Sequence, residues 1–334
     1  MSAPYFLGLD ASTQSLKASL LSVNLDVVSE CSIHFDTDLP HYRTSGGVLF
    51  GQDGEVHSPV MMLVEAMDLL FEKIKRWDVG KIKGVAAAGQ TLASLNSSSP
   101  LLPQFADAFS RSIIPNWQDS STTQECQALE KAVGGPDALA QLTGSRAHER
   151  FTGAQIMRFK KVDPEAYNGT DRIGLVSSAV TTLLCLDGEV KGIDESDACG
   201  MNLWTMNRKE RGWNEKLLEE IAGADAEELA RKLGNVETDG GRVVGNIGRW
   251  YVERYGFDPE CLVFPGTGDN PATFLSLTHG SLTRQHVRDL YFDKSWEKFN
   301  AAVESLRPKT LYNLPSRAAF WWLLPDIVVC TDYM

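Results

Sequence analysis

The chain has 334 residues, of which 43% are hydrophobic and 23% charged, and its formal net charge is -12 at pH 7. A chain of this length can bury a substantial core and has room for two domains. The acidic excess argues against a nucleic-acid groove and against binding to an anionic membrane surface, because both require clustered Lys and Arg.

The sequence predicts a cytoplasmic protein. It has no run of roughly 18 apolar residues, the length that a membrane helix needs, and the opening MSAPYFLGLDAST lacks the pattern of a signal peptide. The six cysteines are scattered, with no CxxC pair and no His at metal-ligand spacing. We interpret them as reduced and structural. A reactive thiol would need a lowered pKa, which no neighbouring sequence indicates.

The first elements read as a β-meander followed by a helix. PYFLGLD (4–10) predicts a buried strand that ends in Asp10, and KASLLSV and VVSECSIHF follow at hairpin-like distances. Ser58 and Pro59 are typical of an N-cap and first helical position, and the next helix is expected to end near Arg76. Its apolar stripe, which we assign to the core, consists of Val60, Leu63, Met67, Leu70 and Ile74.

The remaining elements alternate between strand and helix, which indicates an α/β protein with mixed sheets. Glycines end two predicted helices, and an apolar strand leads into a glycine-rich turn near residue 266. The predicted elements are a strand at 82–89, helices at 121–133 and 136–143, a strand at 172–178, a helix starting at 179, a polar loop at 187–198, and a strand, turn and helix within 261–273.

Two turns carry residues suited to phosphoryl transfer. GLDASTQSLK (8–17) places Asp10 and hydroxyls such as that of Thr13 at a strand end, where they can cradle a phosphate and its Mg²⁺. GTGDNPA (266–272) places Asp269 after glycines, where its carboxylate can accept a hydroxyl proton. Each motif alone also fits an ordinary turn or helix start. Together they favour a phosphate cradle and a base brought together on separate loops.

Ten blocks, in order along nearly the whole chain, resemble the eukaryotic xylulose kinases, which are members of the FGGY carbohydrate kinase family. The long blocks are far more specific than a single glycine turn. They are GLDASTQSLK (8–17), HFDTDLPHY (34–42), WQDSSTTQEC (117–126), AVGG (132–135), LTGSRAHERFTGAQI (142–156), RIGLVSS (172–178), SDACGMNL (196–203), YVERYGF (251–257), GTGDNPAT (266–273) and GSLTRQHVRDL (280–290).

The resemblance implies an actin-like fold with ribonuclease-H-type sheets and a cleft in which sugar and ATP meet. Residues 1–262 would form a nearly complete sugar-binding domain and 263–334 an incomplete ATP-binding domain. The implied substrates are D-xylulose and ATP, with Mg²⁺ as cofactor. The implied roles are metal and phosphate binding for Asp10, general base for Asp269, sugar binding for Arg150, Asp269 and Asn270, and ATP binding for Thr13 and Trp296. Without the resemblance, Arg150 fits a solvated or ion-paired side chain and Trp296 a core residue.

Three features depart from the family pattern. A sugar-binding histidine is expected after Gln90, a second phosphate hairpin after Thr278, and an adenine-packing glycine pair beyond Met334. We therefore expect turnover at least ~10³-fold below that of a complete relative, because preorganised phosphate contacts lower most of the barrier. Two other functions stay open: a non-catalytic, sugar-binding fragment, or a kinase for ribulose, glycerol or gluconate. The HFDTDLPHY and SRAHERFTG blocks favour xylulose.

Overall fold

A computed structural model of the chain describes residues 3–86, 99–105, 108–207 and 209–268, and positions 295 and 298. The chain divides into two compact units, residues 1–267 and 268–334, and the strands and helices given below lie in the first. Residue 262, where we placed the domain boundary, begins a strand of the first unit's main sheet. The division into sugar and ATP domains stays a prediction.

The described residues form thirteen strands and twelve α-helices. The strands are β1 (Tyr5–Ala11), β2 (Ser15–Leu21), β3 (Val27–His34), β4 (Leu49–Phe50), β5 (Val56–Pro59), β6 (Ile82–Ala86), β7 (Ile113–Pro115), β8 (Ile193–Asp194), β9 (Trp204–Thr205), β10 (Gly212–Trp213), β11 (Val236–Glu237), β12 (Gly245–Asn246) and β13 (Leu262–Phe264). The α-helices are α1 (Phe35–Asp38), α2 (Val60–Ile74), α3 (Leu101–Gln104), α4 (Thr123–Ala132), α5 (Pro136–Thr143), α6 (Thr152–Val162), α7 (Pro164–Gly169), α8 (Val176–Cys185), α9 (Glu195–Gly200), α10 (Glu215–Ala222), α11 (Ala226–Leu233) and α12 (Arg249–Tyr255).

The main sheet has six strands in the order β12-β13-β6-β1-β2-β3. Strands β1, β2 and β3 form the predicted antiparallel meander, whereas β6 runs parallel to β1, and β13 runs parallel to β6. Three antiparallel strands followed by two parallel ones make a ribonuclease-H-type sheet. The predicted α/β class and this sheet type are therefore confirmed for the first unit.

The main core lies between this sheet and helices α2, α8 and α12. The predicted stripe of α2 is confirmed, since Met67, Leu70 and Ile74 are fully buried. Two cysteines in the same core, Cys185 and Cys261, are structural as expected, because burial raises the pKa of each thiol to about 12. The sheet is thus stabilised by an apolar core that it shares with these three helices.

A second core joins α4, α5, α6, α10 and α11 into a helical layer. This layer belongs to the long crossover between β6 and β13, which leaves the sheet after Ala86 and returns to it through β12 and then β13. Among the described residues, no helix is both long and apolar enough to cross a membrane.

Three local predictions were wrong. Ser58 belongs to β5, and the N-cap of α2 is Pro59, so the helix begins one residue later than expected. The apolar run at 172–178 is not a strand, because α8 already begins at Val176 and buries its apolar face in the core. The polar stretch at 187–198 contains the short strand β8 and the start of α9, which Asp194 caps by accepting a hydrogen bond from the Ser196 amide (3.0 Å).

Candidate functional site

The parallel strands β1, β6 and β13 end at one edge of the main sheet. Gly8 is level with Ala86, and Ala86 is level with Phe264 in the strand pairing. Asp10 follows Gly8 by two residues, and the Gly266–Gly268 turn follows Phe264. Since parallel strands deliver the segments that follow them to the same side, Asp10 and this turn leave the sheet at one edge.

Asp10 is the predicted phosphate-side carboxylate. It lies opposite Lys17 in the β1–β2 pairing, with 3.3 Å between Oδ2 and Nζ, and their side chains are 60% and 51% exposed. Within the described ranges, no cluster of three or more His, Cys, Asp or Glu side chains could hold a metal ion. Asp10 still fits Mg²⁺, because this ion usually keeps several waters and takes one or two carboxylates plus substrate phosphates.

The turn after β1 is held by the loop that follows β3. The Asp36 carboxylate accepts hydrogen bonds from the Thr44 hydroxyl (2.7 Å) and from the amides of Gly46 (2.6 Å) and Gly47 (3.0 Å). The Thr44 hydrogen bond is the main reason that the pKa of Asp36 is lowered. Gly47, at φ +79°, packs so closely that a Cβ there would lie 1.9 Å from the carbonyl oxygen of Thr13. This contact requires glycine.

Trp117 holds the same turn from another direction. Its indole Nε1–H donates to Thr13 Oγ1 at 2.8 Å, although the Trp117 side chain is largely exposed. Thr13, the residue predicted to bind ATP, is therefore oriented by a residue 104 positions away in the chain. The turn has a fixed backbone and one hydroxyl whose proton is free to point elsewhere.

The glycine turn after β13 is anchored to two helices. The Gly266 amide donates to Thr181 Oγ1 of α8 (3.0 Å), and Thr267 Oγ1 donates to Asp194 Oδ1 at the start of α9 (2.8 Å). The direction of the chain as it approaches Asp269 is thus fixed. Asp269, Asn270 and Trp296 themselves lie outside the described residues.

Arg150, the predicted sugar-binding arginine, lines a cavity of about 450 Å³. The wall comes from the segment before β7, from α6 and from the segment that enters α8. The Arg150 guanidinium lies 5.7 Å from the ring centre of Phe151 and, among the described residues, has no carboxylate partner. The cavity has a volume suited to a small polar ligand.

Gln155 and Asp119 form a buried polar pair at this cavity. Gln155 lines the wall and is only 8% exposed, and Asp119 is 2% exposed. Gln155 Nε2 donates to Asp119 Oδ1 (2.7 Å) and to the carbonyl oxygen of Glu149 (2.9 Å). Burial raises the pKa of Asp119, but hydrogen bonds from Ser121, Val56 and Gln155 outweigh burial and leave the pKa lowered. Asp119 is therefore ionised at neutral pH.

The first residues of α8 connect the cavity to the glycine turn. Val176 lines the cavity, and Thr181, five residues later, holds the Gly266 amide. Five residues of α-helix span about 7.5 Å. The cavity with Arg150 and the turn that leads to Asp269 are consequently neighbours along one helix. Asp10 and Thr13 stand at the sheet edge rather than in the cavity wall.

A second cavity, of about 490 Å³, lies between α4, α6 and α10, and none of the predicted site residues lines it. Its charged side chains are those of Glu125, Lys160 and Lys161, and two of these already form an ion pair at 3.4 Å. None of the described residues that hold the two turns lines this cavity, so the cavity with Arg150 is the better candidate site.

Sequence reasoning missed Asp119, Gln155 and Trp117 as individual site residues, although all three fall in motifs quoted above. One signal was available for Gln155. It is a polar residue on the buried face of α6, beside Gly153, Ala154 and Ile156. A buried amide must find partners, and a lone polar residue on an apolar face therefore points to a tertiary contact.

Comparison with known proteins gives a family match and several similar relatives. The family model described as the N-terminal domain of the FGGY family of carbohydrate kinases matches residues 5–276. A xylulose kinase from Schizosaccharomyces pombe is 46% identical over 286 residues, which are 81% of this chain and 51% of that protein. D-xylulose kinase A from Aspergillus niger is 44% identical over 294 residues, or 83% of this chain and 51% of the relative. The chain thus spans about half the length of the curated relatives that it matches.

A solved structure shares the fold at low sequence identity. The ligand-bound xylulose kinase from Lactobacillus acidophilus superposes with a TM-score of 0.62 at 16% identity, over 82% of this chain and 50% of that one. At this identity the likeness concerns the fold, and the family is identified by the match over residues 5–276.

Proposed function

Because the chain belongs to the FGGY family of carbohydrate kinases, we propose that it carries the sugar side of an enzyme that uses ATP to phosphorylate D-xylulose to D-xylulose 5-phosphate. The xylulose kinase of S. pombe and D-xylulose kinase A of A. niger support this choice of sugar, at 46% and 44% identity.

One observation carries the proposal. The strand that bears Asp10 and the strand that leads to Asp269 run in the same direction and are separated by one strand, β6. Neighbouring strands lie about 4.8 Å apart, so the two strand ends are separated by roughly 10 Å. A sugar hydroxyl and a phosphoryl group placed end to end occupy a gap of this size.

In the proposed reaction, Arg150 and Asn270 hold the sugar, and the Asp269 carboxylate takes the proton from its terminal hydroxyl. The freed oxygen forms a bond to the γ-phosphorus of ATP, the bond from that phosphorus to the bridging oxygen breaks, and ADP leaves. Thr13 and the turn amides after β1 face the transferring phosphate. Trp296 would contact the nucleotide. Rate acceleration comes from positioning and from stabilisation of the developing charge.

Mg²⁺, bound through the exposed Asp10 carboxylate, would neutralise charge on the phosphates. Lys17, 3.3 Å from Asp10, keeps that carboxylate beside a cation in the absence of ligand. We place this activity in the cytoplasm, where thiols stay reduced. The described cysteines, all of which are free, are compatible with that compartment.

The proposal is tested by titrating D-xylulose into the chain and by measuring ADP release at high enzyme concentration. Asp269→Asn should lower turnover by ~10²–10⁴-fold and change sugar affinity by no more than a few-fold, because a general base acts mainly in the transition state. Arg150→Ala should weaken D-xylulose binding by at least about tenfold.

Arg146→Ala is the matched control, because Arg146 lies on the same segment and pairs with Asp137. It should change neither D-xylulose binding nor turnover. A chain that binds no D-xylulose, or that turns over equally well as Asp269→Asn, would contradict the proposal.

A further inference from the structure

The Gln155 side chain has only one orientation that satisfies its neighbours. Its two partners, the Asp119 carboxylate and the Glu149 carbonyl, are both acceptors. The lowered pKa of Asp119 keeps that carboxylate ionised, so it has no proton to donate. The amide nitrogen of Gln155 must therefore face Asp119 and Glu149, and both of its N–H groups are used there.

The remaining amide oxygen of Gln155 is left for a ligand. In the part of the chain that the structure describes, Oε1 accepts no hydrogen bond, and it is not sealed from solvent. Gln155 also forms part of the cavity wall that contains Arg150. A fixed acceptor at a cavity wall is a recognition element, because it can bind donors and repels other acceptors.

We propose that Gln155 Oε1 accepts a hydrogen bond from one sugar hydroxyl and that Asp119 is the positioning residue that holds this oxygen toward the cavity. The inference rests on the proposed function and adds a specificity determinant to it. A hydroxyl can donate to this oxygen, whereas a ketone oxygen, a carboxylate or a phosphate cannot. The cavity therefore favours a hydroxyl at this position over a ketone oxygen or an anionic group.

Asp119 is suited to the positioning role because it is itself immobile. It accepts hydrogen bonds from the Val56 amide (2.9 Å) and from the amide (3.0 Å) and hydroxyl (2.7 Å) of Ser121. A side chain fixed by several hydrogen bonds orients its neighbour more precisely than a flexible side chain does. Asp119→Asn would let the 119 side chain donate to Gln155, so the fixed outward orientation of Oε1 would be lost.

The test is a calorimetric titration with D-xylulose and its single-deoxy analogues. Wild type should bind one analogue at least about tenfold more weakly than D-xylulose, because a site built for a hydroxyl rejects the analogue that lacks it. In Gln155→Met, D-xylulose affinity should fall by a similar factor, and the penalty for that analogue should shrink to below about threefold. Asp119→Asn should weaken D-xylulose binding by about 3–10-fold, although residue 119 does not itself contact the sugar.

A spectroscopic readout tests the positioning step without sugar. The side-chain amide protons of Gln155 should exchange slowly with water in wild type and faster in Asp119→Asn. Equal exchange in the two proteins would overturn the role of Asp119. If Gln155→Met fails to fold, the titrations of wild type with the deoxy analogues still test the inference. Equal affinity of wild type for D-xylulose and for all of its single-deoxy analogues would overturn it.

Failure of the inference is distinguishable from failure of the proposed function. If wild type binds D-xylulose, Arg150→Ala loses binding and Gln155→Met stays within about twofold of wild type, the inference is overturned and the proposed function stands. If wild type binds no D-xylulose, both are overturned. Arg146→Ala again serves as the control with unchanged affinity.

Discussion

The cavity at Arg150 and the turn after β1 are stabilised in opposite ways. At the cavity, Asp119 and Gln155 are buried, and the Gln155 amide nitrogen donates hydrogen bonds to Asp119 and to the Glu149 carbonyl. At the turn, Asp10 is 60% exposed and its partner Lys17 is 51% exposed. An exposed pair of this kind contributes at most ~1 kcal/mol. The fold therefore fixes the side chains of the proposed sugar side in advance, whereas the charged side chains of the proposed phosphate side are exposed.

The backbone of the turn is nevertheless fixed. Gly47 and Trp117 hold Thr13 from two directions, and Asp36 fixes the loop that carries Gly47. The difference between the two regions thus lies in the side chains that face the ligand. Sugar recognition should respond to the loss of buried polar contacts, and the phosphate side should respond to changes in backbone position.

Asp119→Ala should give the largest loss of stability, about 3 kcal/mol, because four buried or half-buried donors on three residues lose their acceptor. Urea unfolding measures the change. Asp10→Ala is the matched carboxylate control and should lower the free energy of unfolding by no more than ~1 kcal/mol. Equal losses in the two variants would erase the contrast between the regions.

Gly47→Ala should come next, at about 2–3 kcal/mol, because the new Cβ would collide with the Thr13 carbonyl and the φ of +79° disfavours alanine. Gly46→Ala is the control at a similar φ of +65°, with the nearest atom of a neighbour 3.7 Å away. It should lose only about 1 kcal/mol in the same urea titration. If the two variants are equally stable, the loop does not hold the turn.

Trp117→Phe should raise the KM for ATP by about fivefold, the equivalent of one hydrogen bond of ~1 kcal/mol, while D-xylulose affinity stays unchanged. Thr13→Val should have the same effect, and the double variant should be no worse than either single one. Trp213→Phe is the matched control, since it also loses an indole hydrogen bond, to the carbonyl of Gly234. Additive effects of Trp117→Phe and Thr13→Val would argue against the contact.

The smallest effect concerns His57, on β5 beside β7. Burial lowers the pKa of His57 below its usual 6.5, with Glu55 and Asp119 partly opposing the shift. The unfolded chain therefore binds more protons just below pH 6.5, so the free energy of unfolding should fall as the pH drops through this value. His57→Gln should flatten that slope in urea titrations between pH 7.5 and 5.5. An unchanged slope would show that His57 is not its source.

Local sequence patterns predicted the elements that have a clear hydrophobic period or a glycine at their end. The meander that ends near Asp10 and the helix with Met67, Leu70 and Ile74 are confirmed, and so are the helices that stop at Gly134 and Gly144. The run at 172–178 failed because an apolar stretch fits a buried helix start as well as a strand. Only its packing against the main core distinguishes the two.

The proposed recognition residues could be found only from tertiary information. Asp119 and Gln155 are 36 positions apart, and Trp117 and Thr13 are 104 apart, so neither pair forms a local motif. The structure places Arg150 in the wall of a cavity, and its role in sugar binding stays a prediction. The same holds for the roles of Asp10 and Thr13. For Asp269, Asn270 and Trp296 the described residues offer no test.

The crossover between β6 and β13 has a consequence for how the sheet tolerates variation. It begins and ends on two hydrogen-bonded strands, since Val85 pairs with Val263, and it adds β12 to the sheet before β13. The two strands are therefore only about 4.8 Å apart, however long the chain between them is. Of the helices in the crossover, α10 and α11 contain none of the residues that anchor Thr13 or Gly266. These two helices can vary in length or sequence while β6 and β13 keep their register and the turn after β1 keeps its contacts.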